Sequence, residues 1–330
     1  MSIGMFPSPG PIWKRALEFY TKYFVLWVVI AGIVAYLTPG PFQQAGNQRI
    51  AGLVPLRNLL FSLTMFGIGM VLRPKDFVRI LARPRLIIIG TAAQFLIMPV
   101  ASWLAAMAFM LGPEQAVGLI IAGAAPDAMA GNALSYIANA DTAYNVSLTL
   151  VSTLLCPVLT PFLTKLLAGT ILPVDVWLMV IELAYMVVIP LLLGFVVRRA
   201  LGQTVERIQV VFAALSVTFI VFICSVVLAG STKQIDMGGV GLRVVGACLA
   251  LNCLGLAGGY LVGVIFGMPI AQRRSLAIQV GMQNAALGAS LAKSQFGDQA
   301  ALPGVVFVFV SLITGAMLAG LWQGHRPAPI

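Results

Sequence analysis

One apolar run of roughly twenty residues follows another along almost all of this chain of 330 residues, with only short polar gaps between them. About 20 apolar residues in a helix match the hydrocarbon core of a bilayer. In lipid every backbone N–H and C=O must be paired within the protein, so a spanning segment is a helix or part of a closed barrel, and runs of this length specify helices. The composition agrees. Hydrophobic residues make up 60% of the chain and charged residues 9%, against about 25% charged in a soluble domain. Such a chain cannot cover the wet surface that a soluble protein of its length needs. It reads as one all-α integral membrane unit in a lipid bilayer, not as two soluble domains.

The spacing predicts ten spans, near 22–38, 51–72, 86–110, 115–138, 142–168, 174–197, 208–230, 242–266, 273–295 and 301–322. The first run has no clear small-residue cleavage site and is read as a retained helix. A net charge of +10 in a soluble protein would direct attention to nucleic acid. Here the basic residues fall in the gaps, where they set orientation, and nucleic acid is set aside as a partner. With the N-terminus inside, the inner gaps collect Lys14, Arg15, Lys22, Arg73, Lys75, Arg79, Arg83, Arg85, Arg198, Arg199, Arg207, Arg273, Arg274 and Arg326. The outer side holds only Arg49, Arg57, Lys165, Lys233, Arg243 and Lys293. Both termini are therefore expected in the cytoplasm, and the protein in the inner (plasma) membrane. Tyr20, Tyr23 and Trp322, near span ends, read as interface anchors. Met65, Met70, Met98 and Met129 read as adaptable packing. Cys156, Cys224, Cys248 and Cys253 all lie inside apolar runs and read as buried thiols. The only histidine, His325, sits in the C-terminal tail, which argues against histidine catalysis and a clustered metal site.

Two spans are unlike the others. The fourth contains Gly123-Ala124-Ala125-Pro126-Asp127-Ala128-Met129-Ala130-Gly131-Asn132, and the ninth holds Gln279, Gly281, Gln283, Asn284, Gly288 and Ser290. Proline removes a backbone donor and glycine weakens a helix, so both spans are predicted to break at mid-membrane, where irregular backbone is tolerated only inside protein or around a cavity. Ten spans divide into two sets of five, and an odd number per set forces an inverted repeat. The matching Asn-Ala pairs, Asn132-Ala133 and Asn284-Ala285, fit that arrangement. Matched broken helices point to a transporter's binding site: half-helix N-termini suit an anion, while C-termini and unwound carbonyls suit a cation. The alternative is that small and amide residues only glue helices together.

At these residues the chain resembles the bile acid:sodium symporter family in its bacterial ten-helix form. Four stretches carry the resemblance: Phe66-Gly67-Ile68-Gly69-Met70 with Arg73-Pro74-Lys75-Asp76-Phe77; Arg83-Pro84 before Gln94 to Pro99; Asn132 followed by Thr149, Ser152-Thr153-Leu154-Leu155, Pro157 and Thr160-Pro161; and Val280-Gly281-Met282-Gln283-Asn284. The resemblance implies a single transporter unit with a core domain, 86–168 and 242–322, and a panel domain, 22–72 and 174–230. Broken helices 4 and 9 would cross in the core, and rocking would alternate access to a cleft between the two. It implies an organic anion as substrate, from bile acids to smaller acids such as pantoate, and sodium as the coupling ion, with no other cofactor.

Carried over residue by residue, the family's first sodium site falls on Gly131, Asn132, Asn145, Thr149 and Gln279. The second falls on Gln94, Gln279, Gln283 and the carbonyls of Val280 and Met282. Asn132 and Asn284 mark the substrate side. The family's serine stands here as Gly131, one of its hydroxyls as Asn145, and its glutamate as Gln279. Losing the glutamate removes a full charge that would offset a hard cation in low dielectric. Three outcomes follow: coupling to one sodium ion, coupling to none (a proton-coupled or uncoupled carrier), or relocation of the charge to Asp127. For Asp127, an acid at membrane depth, the readings are a cation or proton site, a cap on the second half-helix, or a substrate contact. Glu182, the other acid inside a span, faces either the cleft or a packed neighbour. No Walker motif is present, so ATP does not drive this chain. An intramembrane enzyme would need a converging catalytic set, which these two isolated acids do not form. A channel would need a continuous polar lining, whereas the polar residues cluster at mid-membrane.

Overall fold

The computed structural model describes residues 13, 16–17, 19–20, 23–50, 54–72, 78, 80–128, 130–202, 205–230 and 240–323. Lys14, Arg15, Lys22, Arg73 to Phe77, Arg79, Met129, Lys233, His325 and Arg326, named above, lie outside them. The protein is built from helices: α1 (Phe24–Leu37), α2 (Pro39–Asn47), α3 (Leu56–Val71), α4 (Pro84–Ala108), α5 (Pro113–Ala124), α6 (Ala130–Ile137) and α7 (Thr142–Ala168). Next come α8 (Val176–Leu201), α9 (Val205–Gly230), α10 (Val240–Ile265), α11 (Ile270–Gly281), α12 (Ala285–Phe296) and α13 (Asp298–Gln323). Five of them, α4, α7, α8, α10 and α13, are long and apolar enough to cross a membrane, and α1 with α2 makes a sixth candidate bent by 106°. Shorter apolar helices run over α3 and over Ala214–Gly230 within α9.

Local chemistry sets the helix ends. Pro39, Pro84 and Pro113 occupy first-turn positions, where a missing N–H leaves nothing unpaired. Asp141 caps α7 by accepting from the Tyr144 N–H at 3.0 Å, and Asp175 caps α8 through the Leu178 N–H at 3.0 Å. Three features depart from the sequence reading. Before α3, two-residue strands β1 (Arg49–Ile50) and β2 (Val54–Pro55) pair antiparallel, and β2 falls inside the stretch expected as the start of the second span. The first apolar run bends at Thr38-Pro39 into α2 instead of stopping. In α8, Ala184–Val188 winds as a π-turn.

α3 packs along the second part of α8 and along α9, which also carries α1 and α2. The α3–α8 approach is close enough that a Cβ on Gly69 would run into the Leu191 carbonyl, and one on Gly194 into that of Phe66. α4, α5, α7 and α10 to α13 pack together around the two helix breaks. Cys156, Cys224 and Cys248 are buried free thiols, whereas Cys253 lies exposed on the outside of α10, against the expectation that all four are buried; its side chain falls on the outward stripe of that helix. Arg274, read as an orientation signal, is buried: it donates to the Ala138 carbonyl (2.9 Å) and the Trp322 carbonyl (3.2 Å) and sits over the Trp322 ring. Trp322 in turn stacks on Tyr260.

Candidate functional site

Both predicted breaks are present, and they meet. α5 stops at Ala124 because Pro126 has no N–H and forces Ala125 to extended backbone (φ −66°, ψ 158°). α11 stops at Gly281, and Met282 is extended (φ −111°, ψ 104°). The two unwound pieces pair antiparallel at Asp127 and Gln283. The Ala128 N–H donates to the Met282 carbonyl at 3.1 Å, and the Asn284 N–H to the Pro126 carbonyl at 2.7 Å. Carbonyls freed at the ends of the first half-helices are also met. Thr160 of α7 donates to the Ala124 carbonyl at 2.7 Å, and Asn252 of α10 to that of Gly281 at 2.9 Å. Irregular backbone survives at membrane depth where its freed groups find protein partners, as these do. Sequence reading missed Thr160 and Asn252 in these roles; the signal was an amide and a hydroxyl inside otherwise apolar runs.

The second half-helices begin where the pairing ends. Asn284 caps α12 by accepting from the Leu287 N–H at 3.1 Å. Ala128 and Ala130 at the start of α6, and Asn284, Ala285 and Ala286 at the start of α12, line one cavity of about 90 Å³, together with Met282 and Gln283 of the unwound stretch. Its other walls are Phe61, Thr64, Met65 and Ile68 of α3, Ser216, Phe219 and Ile220 of α9, and Val308, Ser311 and Leu312 of α13. The cavity is therefore mostly apolar on its walls, with the hydroxyls of Thr64, Ser216 and Ser311 among them and two helix N-termini on one side. Glu182 is not among its lining residues.

Beneath the cavity lie two polar groups. In the first, glutamines run in a chain: Gln279 Nε2 donates to Gln94 Oε1 (2.9 Å), Gln94 Nε2 to Gln283 Oε1 (3.4 Å), and Gln283 Nε2 to the Val280 carbonyl (2.9 Å). A carbonyl can only accept, so Val280 fixes the direction of the whole chain and leaves Gln279 Oε1 facing Thr149. The Met282 carbonyl is taken by the Ala128 N–H. This group is closed on itself.

The second group is Asp127, Asn132, Asn145, Thr149 and Gln279. Thr149 Oγ1 lies 2.7 Å from Asp127 Oδ2, 3.0 Å from the Asn145 carbonyl and 3.3 Å from Gln279 Oε1. Asn145 Nδ2 donates to Asn132 Oδ1 at 2.8 Å. Asp127 is only 1% exposed, and its Oδ1, like Asn145 Oδ1, has no hydrogen-bond partner among the described residues. A Cβ on Gly131 would stand 3.2 and 3.3 Å from the two Asp127 oxygens, so the carboxylate occupies the space a larger residue there would claim. Its hydrogen bond to Thr149 ties it to α7, not to the first turn of α6.

Glu182 belongs to a separate cluster. Its Oε1 accepts from Asn58 Nδ2 at 3.3 Å and its Oε2 from Gln295 Nε2 at 2.9 Å, joining α3, α8 and α12. Asn58 also donates to the Tyr185 hydroxyl at 2.8 Å.

Comparison with known proteins gives this geometry its context. Residues 58–237 match the model of the sodium bile acid symporter family. The chain is 31% identical over 310 residues to an uncharacterized sodium-dependent transporter, YocS, of Bacillus subtilis (strain 168), covering 94% of each. It is 30% identical over 312 residues to a probable chloroplastic sodium/metabolite cotransporter, BASS1, of Arabidopsis thaliana, covering 94% of this chain and 75% of that one. A probable chloroplastic sodium/metabolite cotransporter of Oryza sativa subsp. japonica, BASS2, is 28% identical over 320 residues, 97% and 74% of the two chains. The chain belongs to the sodium bile acid symporter family and is a transporter, not an enzyme.

Proposed function

We propose that this protein is a sodium-coupled secondary transporter of organic anions, working by alternating access. The observation that carries the reading is the pair of helix breaks meeting at Asp127 and Gln283 beside a cavity that receives the N-terminal ends of α6 and α12. Helix N-termini attract a carboxylate or sulfate, and the apolar walls from Phe61, Met65, Phe219 and Leu312 suit the organic body of such an anion. Bile-acid-like molecules and small carboxylates such as pantoate both have this form. Sodium as the coupling ion rests on the names of the relatives and on the oxygen-rich groups under the cavity.

In this reading each broken pair completes one span. With α3 and α9 counted as spans there are ten, arranged as two inverted sets of five, in the inner (plasma) membrane with both termini in the cytoplasm. The helices of 22–72 and 174–230 rock as one body against those of 86–168 and 242–322, and the cavity opens alternately to either side. The test is uptake of labelled pantoate and taurocholate into proteoliposomes under an inward sodium gradient. The expected result is accumulation of at least one of them above the equilibrium level, abolished when sodium is replaced by choline. Uptake of both no faster than in protein-free liposomes would overturn the reading.

A further inference from the structure

The cavity lies between the two bodies proposed to rock, and they meet differently towards its two ends. In the orientation read from the charges, the inner half is joined by apolar side chains: Leu72 of the first body and Leu191 of α8 cluster with Leu150 of α7. At the outer end the contact is polar and specific. Glu182 of α8 reaches across to α12, where Gln295 Nε2 donates to its Oε2 at 2.9 Å. Asn58 of α3, on the same body as Glu182, donates to the other oxygen at 3.3 Å. The helices are close here as well: a Cβ on Gly230, at the end of α9, would stand 2.6 Å from the carboxyl carbon of Asp298 at the start of α13. Asn58 stands one turn of α3 before Phe61 in the cavity wall. Gln295 stands roughly 13 Å along α12 from Ala286 in that wall. The contact between Glu182 and Gln295 therefore holds the cleft shut on the outer side of the cavity.

The outer cluster also contains a donor in waiting. Arg57, next to Asn58, has its Nε buried with no hydrogen-bond partner among the described residues, and forms no ion pair among them. Of the charges around it, Glu182 attracts it most, while Asp298 is already paired with Lys293. Amides occupy both Glu182 oxygens, so the guanidinium stands beside this acid without bonding to it. Arg57 and Glu182 belong to one body, and Gln295 belongs to the other. A buried carboxylate stripped of a donor is strongly unfavourable. A guanidinium suits the vacated oxygen, because its planar N–H groups match a carboxylate.

We infer that Glu182 is the fixed part of an outer latch with two exchangeable partners: Gln295 holds it while the outer side is shut, and Arg57 holds it while the outer side is open. Asn58 stays with Glu182 in both states, since the two share a body. Exchanging one donor for another keeps the two states close in free energy, as a carrier that visits both in every cycle requires. The latch rests on the two-body motion proposed above and on no particular substrate or ion.

The test is the side from which the cavity can be reached. Ser216→Cys places a thiol in the cavity wall, in a Cys253→Ala background because the other three cysteines are buried. Its labelling by a charged, membrane-impermeant thiosulfonate is timed in right-side-out and in inside-out vesicles, without sodium or substrate. Thermal unfolding of each purified full chain checks folding. Gln295→Leu removes the shut-state partner and is expected to raise the ratio of outside to inside labelling at least about fivefold, while Arg57→Leu removes the open-state partner and should lower it by a similar factor. Gln295→Ala guards against misfolding of the leucine variant and is expected to act in the same direction. Folded Gln295 and Arg57 variants that move the ratio the same way, or either one leaving it unchanged, overturn the partner exchange while leaving the two-body motion intact. Labelling from one side only, in the reporter protein and in every variant, overturns the latch and the two-body motion together.

Discussion

Asp127 and Glu182 are both carboxylates buried among helices, at 1% and 4% exposure, and the sequence presents them alike, as single acids in apolar runs. Their surroundings differ in the donors aimed at them. Each Glu182 oxygen receives an amide N–H, from Asn58 and from Gln295, and Arg57 lies near enough to attract it electrostatically. Asp127 receives one hydroxyl, shared with two other oxygens, and keeps one oxygen with no partner among the described residues. Glu182 is thus tied into the structure, linking α3, α8 and α12, while Asp127 is left requiring something the chain does not supply. Burial of an acid does not by itself mark a working site; an unmet acceptor next to others does.

The contrast breaks most readily at Asp127. Asp127→Asn should lower gradient-driven accumulation of substrate to the equilibrium level, while thermal unfolding in sodium-free buffer stays the same or rises, because an uncompensated buried charge has gone. A clear fall in sodium-free stability would instead make Asp127 a structural residue of the same kind as Glu182. Gly131→Ser should come next, weakening sodium binding by about 3- to 30-fold, the equivalent of roughly 1–2 kcal/mol of crowding against the carboxylate. Combining it with Asp127→Gly should give a non-additive result in a double-mutant cycle, and simple additivity would separate the two positions.

Glu182→Gln should have the opposite profile to Asp127→Asn. It turns one amide donor against another and should cost about 1–3 kcal/mol of stability, read as a lower unfolding midpoint, with the sodium dependence of uptake unchanged. Lost sodium dependence at full stability would place Glu182 in the coupling machinery. The smallest effect is expected from Thr160→Val, which leaves the Ala124 carbonyl without its side-chain donor and should destabilise by about 1 kcal/mol without altering the stoichiometry of transport.

Much of this could be read in the sequence, for identifiable reasons. Pro126 removes a backbone donor and Gly281 weakens a helix, so both breaks were visible as local chemistry. The fate of the breaks was not, because the pairing of Asp127 with Gln283 joins residues far apart in the chain. The π-turn at Ala184–Val188 carries no proline or glycine to announce it. Thr38-Pro39-Gly40-Pro41 was legible as the end of a helix, but its sharp turn into α2 depends on packing against α9. At the site, the residues carried over from the family resemblance do come together, yet spacing alone gave no sign that the glutamines would close on one another and Asp127 would not. Donor counting needs coordinates. Asn58 and Gln295, the partners that make Glu182 structural, went unnoticed because an isolated amide near a span end has many uses.

The most direct test of the account is a dual-label flux measurement in proteoliposomes, following 22Na and a labelled organic anion substrate together in the wild type and in Asp127→Asn. The account predicts equimolar entry of sodium and anion in the wild type, and no anion-dependent sodium entry in the variant. An Asp127→Asn protein that still carries sodium with the anion in the wild-type ratio would contradict it.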